Sequence, residues 1–185
     1  NMFLGNAAGG NNENGDANIF IGNESGMKNT DGENNIYIGL QAGHESDTAT
    51  DNVFIGTQSG FNNKGYENVF VGNYTGFSNT SGSFNTFIGA LAGASNDTAD
   101  DNLFIGHIAG YQSTNGEGNV FIGNYTGENN TLGSYNTFLG VSTGNSNIEG
   151  KGNVFLGVQS GYSNTYGQAN TYVGTHAGYS NATGD

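Results

Sequence analysis

The 185-residue sequence has no cysteine, no proline, no tryptophan and no arginine, and only three lysines. Without cysteine, disulfides hold nothing together, and thiol usage gives no clue to compartment. With three lysines against 16 acidic residues the net charge is -13. That balance argues strongly against a nucleic-acid partner, because phosphate binding needs Lys and Arg, and it disfavours docking on an anionic membrane. No apolar run approaches the roughly 20 residues that span a bilayer, so direct membrane insertion is not expected. Enzyme signatures are scarce as well. His44, His107 and His176 fall at different phases of the pattern described below and read as solvated surface residues.

What the chain does contain is one motif written eleven times: Asn-x-(Phe/Tyr)-(Ile/Leu/Val)-Gly-x-x-(Ala/Ser/Thr)-Gly. The Asn recurs at Asn1, Asn18, Asn35, Asn52, Asn68, Asn85, Asn102, Asn119, Asn136, Asn153 and Asn170. Every offset is 17 residues except one of 16, and Gly follows four and eight residues after each Asn. A short period kept in phase from end to end predicts a stacked-coil solenoid. The expected fold is an all-β β-roll of about 17 residues per coil and eleven coils, a single repeat domain over residues 1–185. The chain opens on the repeat Asn and stops just short of a twelfth copy, which predicts a segment of a longer fibre.

Counting the Asn as position zero, positions one to three are β-formers between Asn and Gly and predict a short strand. A Gly every few residues excludes a helix, at about 1 kcal/mol each. Strand side chains alternate faces, so the aromatic at position two opposes the aliphatics at positions one and three. Both faces are therefore apolar in every coil. Whichever lines the interior, the other leaves an uncovered column roughly 50 Å long at ~4.8 Å per rung. The same face of sister chains is the economical cover, which predicts a homo-oligomer with strands beside its axis; a monomer needs a coil wide enough to enclose both sets.

The small residue at position seven, Ala8 through Ala177, suggests a second short strand packed opposite the aromatic layer. A third Gly near position fourteen marks the return turn, replaced by Ala49 and Ala99 in two coils. Stacked Asn side chains can hydrogen-bond from rung to rung, so Asn18, Asn35, Asn52, Asn68, Asn85, Asn102, Asn119, Asn136, Asn153 and Asn170 are read as a structural ladder. None of the acidic residues lies in the Asn-x-Phe-Ile-Gly segment, and they read as a solvated rim. Every third coil resembles its counterpart: Asp47-Thr48-Ala49-Thr50-Asp51 returns as Asp97-Thr98-Ala99-Asp100-Asp101, and Asn73-Tyr74-Thr75-Gly76 as Asn124-Tyr125-Thr126-Gly127. Duplication of a three-coil block suits an open stack better than a closed prism or propeller.

The repeat resembles the head of YadA-type trimeric adhesins and the Asn-Thr-Phe-Ile-Gly…Ala-Gly repeats of bacterial and phage tail-fibre-like surface proteins. Asn85-Thr86-Phe87-Ile88-Gly89 through Ala92-Gly93 and Asn136-Thr137-Phe138-Leu139-Gly140 through Thr143-Gly144 carry the likeness most closely. The resemblance implies a left-handed β-roll in a parallel homotrimer, outside the cell or on a virion. No cofactor is expected, and a host-surface glycan or protein is the expected class of receptor. Coils here are longer than in the YadA head, and bulky Phe/Tyr stands where that family often has a small residue.

For ligands, the carboxylates Asp47, Asp51, Asp97 and Asp101 are the only dense hard-cation candidates. Tyr74 and Tyr125, at position six, are the candidate sugar-stacking residues. Aromatics at position nine (Phe61, Phe77, Tyr111, Tyr162, Tyr179) are expected inside. The leading functional expectation is a structural or adhesive segment of an extracellular trimeric fibre. The alternatives are a glycan-binding module and an ice-binding solenoid. The last needs one residue type in a flat array, whereas position five runs Asn6, Asn23, Leu40, Thr57, Asn73, Ala90, His107.

Overall fold

Three β-formers between Asn and Gly give one three-residue strand per coil, from β1 (Met2–Leu4) through β6 (Thr86–Ile88) to β11 (Thr171–Val173). In this computed structural model, which describes residues 1–184, the eleven strands form a single parallel sheet in sequence order. Pairing is in register throughout: Met2 faces Ile19, and Val154 faces Thr171. The chain is an all-β parallel solenoid of about ten turns with no helix among the described residues.

The aromatic at position two faces inward. Phe20, Tyr37, Phe54, Phe70, Phe87, Phe104, Phe121, Phe138 and Phe155 are all fully buried. Their rings form one continuous stack; Phe87 and Phe104, for example, lie 4.8 Å apart between centroids at 7°. The backbone ladder sets that spacing. Near-parallel rings so far apart touch only when slid sideways, which is the offset geometry aromatics prefer. Each buried ring contributes about 1.5–3 kcal/mol. Ala42, Ala92 and Ala109 at position seven pack against the stack.

Positions six and seven do not form the expected second strand. The backbone turns left-handed at position six (Tyr74 φ 57°, Leu91 φ 61°) and again at the second Gly (Gly76 φ 57°, Gly93 φ 56°), so no extended run survives there. Rung-to-rung hydrogen bonding continues without a strand: Gly26 N–H donates to Ala42 O at 2.9 Å and Glu24 N–H to Asn6 O at 2.8 Å. Two glycines per coil are required by space. A Cβ on Gly22 would lie 2.3 Å from Gly39 O, and one on Gly93 would lie 2.5 Å from the Phe87 ring. Among the described residues nineteen non-glycine residues share positive φ, most at positions six and sixteen, where L-residues pay a steric cost.

The 16-residue coil keeps the register, with Val53 opposite Val69. Its missing residue falls between Asn63 and Gly65, where the Asn63 amide reaches a carbonyl two residues on instead of three.

Gly93→Ala is expected to cost at least about 2 kcal/mol, combining left-handed strain with overlap on the Phe87 ring. Ala169→Gly, at an exposed left-handed position (φ 55°), is expected to gain about 0.5–1 kcal/mol. Urea denaturation of both variants checks the pair, and equal effects of one sign would contradict the backbone account.

Candidate functional site

Two asparagine columns close each coil. At position zero, the side-chain Oδ1 of one rung accepts the backbone N–H of the next Asn: Asn85 N–H to Asn68 Oδ1 is 2.9 Å, and Asn102 N–H to Asn85 Oδ1 is 3.0 Å. The contact recurs at all ten steps from Asn18 to Asn170. Direct amide-to-amide bonds are secondary, as between Asn35 Nδ2 and Asn18 Oδ1 at 3.2 Å. The Asn amide also crosses the coil to the return turn; Asn18 Nδ2 donates to Gly32 O at 2.7 Å.

The second column stands at position eleven, and the sequence reading missed it. Asn29, Asn63, Asn79, Asn96, Asn130, Asn147 and Asn164 are fully buried. Asn96 Nδ2 donates to Asn79 Oδ1 at 2.7 Å and Asn147 Nδ2 to Asn130 Oδ1 at 2.6 Å. The same amides also meet the position-fourteen carbonyl, so Gly32 O accepts from Asn18 and from Asn29, the latter at 3.1 Å. The signal was present: nine of eleven coils carry Asn at this fixed phase, with Ser46 and Ser113 the exceptions. It was hidden because the surrounding stretch is rich in Asn, Ser and Thr.

Coil three is the polar irregularity of the interior. Tyr37 replaces Phe in the stack where Ser46 replaces Asn; the buried phenol lies near Ser46 and Asn52, but neither hydroxyl makes a well-formed hydrogen bond. Burial pushes the Tyr37 phenol well above its ordinary value of 10.0, so it stays neutral.

Outside, the strands present aliphatic columns at positions one and three. Ile55, Ile88 and Leu139 are 38%, 39% and 47% exposed. No charged residue occurs at positions one to three of any coil. Charge sits instead on the linkers, where the ion pairs join column neighbours: Lys28 to Glu45 at 2.7 Å and Lys64 to Asp47 at 3.5 Å. The Lys28 ammonium, with His44 adding to it, holds the Glu45 carboxyl below its usual range.

Position-nine aromatics are not internal. Phe61, Phe77, Tyr111 and Tyr162 are half-buried and Tyr179 is exposed. They line a second, outer ring column, because the turn that begins at the second Gly carries position nine past the core. His44 joins that column, 4.9 Å from Phe61 at 1°, and is partly covered; only His107 and His176 are exposed. Tyr74 and Tyr125 lie on the surface, 44% and 39% exposed. Tyr74 leans on Phe77 at 6.0 Å, and Tyr125 meets His107 edge-on at 5.4 Å.

Asp47 and Asp51 stand in a different coil from Asp97 and Asp101, three rungs away. Among the described residues no three His, Asp or Glu side chains gather as a metal site. Asp47 is engaged by Lys64, and Asp97 accepts the Thr80 hydroxyl at 2.5 Å. Among the described residues no helix is long and apolar enough to cross a membrane. No family model, curated protein or solved structure matches the chain.

Asn85→Ala removes two hydrogen bonds, to Asn102 N–H and to Ala99 O, whereas Asn102 Nδ2 is unpartnered. Asn85→Ala is therefore expected to cost about 2–3 kcal/mol and Asn102→Ala about 1 kcal/mol less; equal losses in denaturant titration would refute the two-bond geometry. Tyr37→Phe is expected to stabilise by about 1 kcal/mol by removing a buried hydroxyl that makes no well-formed hydrogen bond with the nearby Ser46 and Asn52. Because the folded phenol is shifted upward, its stabilising contribution is complete below the unfolded value of 10.0 and lost as pH rises beyond it. The advantage of Tyr37→Phe in melting temperature should therefore widen above pH 10, and a constant difference would contradict the burial of that proton.

Proposed function

We propose that this chain is a structural and adhesive segment of an extracellular trimeric fibre, with no enzymatic role. The observation that supports it is the outward strand face, two columns free of charge over eleven rungs and aliphatic at every position except Thr86, Thr137 and Thr171. The remaining surface carries the -13 net charge, which repels like chains everywhere except at that face. Identical faces of sister chains are its matched cover, being apolar, regular and of equal length.

The face is three residues wide and ten steps long, roughly 10 by 48 Å or about 500 Å² per chain. That is less than the roughly 800 Å² per partner of a standard interface, so association strengthens as coils are added. Three narrow faces turned towards one axis enclose a dry triangular core, in keeping with the resemblance to YadA-type heads. A receptor would then meet three parallel copies of the linker surface and bind with avidity. An ice-binding role has less support, since the two outward strand columns carry only Thr86, Thr137 and Thr171 as threonines.

Light scattering should give a mass three times that of the 19.1 kDa chain. Replacing Ile55 and Ile88 together by Lys should yield a monomer with an unchanged circular dichroism spectrum, since both side chains point away from the core. A monodisperse wild-type monomer would overturn the fibre assignment.

A further inference from the structure

The outer ring column at position nine is built like the inner one. His44 stacks on Phe61 at 4.9 Å, Phe61 on Phe77 at 5.2 Å, and Tyr162 on Tyr179 at 5.1 Å. Between Phe77 and Tyr111 the column is interrupted by Ala94. Those two rings are therefore two rungs apart, roughly 10 Å at ~4.8 Å per rung. Beside Ala94, which is only 7% exposed, lies a concavity of about 200 Å³ lined by Phe77, Tyr111, Leu91 and Tyr74. Ser78 and Ser95 bring hydroxyls to the rim.

We propose that the Ala94 gap is a binding slot for a single neutral pyranose ring of a glycan. One flat ring inserted there stands about 5 Å from each aromatic, the separation already used by its column neighbours. The volume is below the roughly 300–1,000 Å³ of drug-sized sites and suits one ring. A pyranose offers C–H groups on both faces and hydroxyls around its edge. The C–H faces meet the electron-rich faces of Phe77 and Tyr111, while the edge meets Ser78, Ser95 and the Tyr74 phenol. An aromatic ring would fill the gap but leave that polar rim unused. The net charge of -13 disfavours anionic sugars, which selects neutral hexoses and N-acetylhexosamines.

Position nine alternates elsewhere without making this arrangement. Glu128 and Asn145 follow Tyr111, so the next interruption spans two rungs and puts a carboxylate and an amide on its floor. A gap of one rung between two rings is found only at Ala94 among the described residues. The slot lies on position nine rather than on the strand face, so it does not depend on trimer formation.

The test is saturation-transfer NMR on the wild-type chain with methyl β-glucoside, methyl β-galactoside and N-acetylglucosamine, and with N-acetyltyrosine amide as an aromatic comparator. At least one sugar should receive saturation through its ring C–H protons. Ala94→Phe should reduce that signal at least about tenfold and raise the melting temperature, since Phe at this phase already stacks in the two preceding coils. Tyr111→Ala, which opens one wall without filling the slot, should lose binding as well. Silence from every sugar, equal binding by Ala94→Phe, or binding of the aromatic comparator alone would each overturn the assignment. The light-scattering result is read separately, so failure of the slot and failure of the trimer are distinguishable.

Discussion

In-register parallel pairing at one rung per coil is the constraint from which the rest of this molecule follows. Once every strand pairs with its successor without slip, each position of the repeat becomes a column, and each side chain is packed above and below by its own kind. Phenylalanine is well suited to that condition, because its flat face stacks at the spacing the backbone imposes. Asparagine is suited to it for a different reason. It carries a donor and an acceptor on one short side chain, so a copy can serve both the rung above and the turn beside it. A one-residue slip would turn the phenylalanines outward and break both asparagine columns at the same time.

The polar interior is consistent with that logic. Buried amides are tolerable only when their groups are bonded, and here the position-fourteen carbonyl gathers donors from both columns of its coil. Satisfaction is incomplete at Asn29, Asn96 and Asn164, each with an unpartnered Oδ1. In each of these coils the amide nitrogen is committed to the preceding rung and to the turn, while the next position-eleven residue is Ser46, Ser113 or the terminal Asn181. A serine cannot reach back as an amide does, and the Asn181 amide is turned to the Tyr172 hydroxyl instead, so each break in the column shows up as an orphan one rung earlier.

Much of this was legible in the sequence, and the misses share a cause. The strand, its period, the inward-outward opposition of positions two and three, and the crowding at both glycines follow from residue types at fixed spacing. The second strand was misread because β-formers are defined by composition, whereas positions six and eight are set by a left-handed backbone that tolerates Tyr74, Leu91 and even Ile108. The outer ring column was placed inside for a related reason. Alternation assigns faces only along an extended chain, and two left-handed turns between position four and position nine destroy that count. The position-eleven column was obscured by composition rather than by geometry.

The single short coil shows where this order can be relaxed. Its deletion lies between the position-eleven Asn and the return-turn Gly, on the stretch that carries no interior column, and the strand register on either side is intact. A deletion at a strand or column position would instead have removed that coil's own member from an interior column. Variation is thus confined by physics to the linkers and to the outer faces of positions five, six and nine, where neighbouring coils differ freely: Phe77, Ala94, Tyr111 and Glu128 succeed one another in one column. The core can be copied indefinitely because it is uniform, and for the same reason it can encode no recognition. Whatever discriminates one surface from another must be written in the columns that are permitted to break their own pattern.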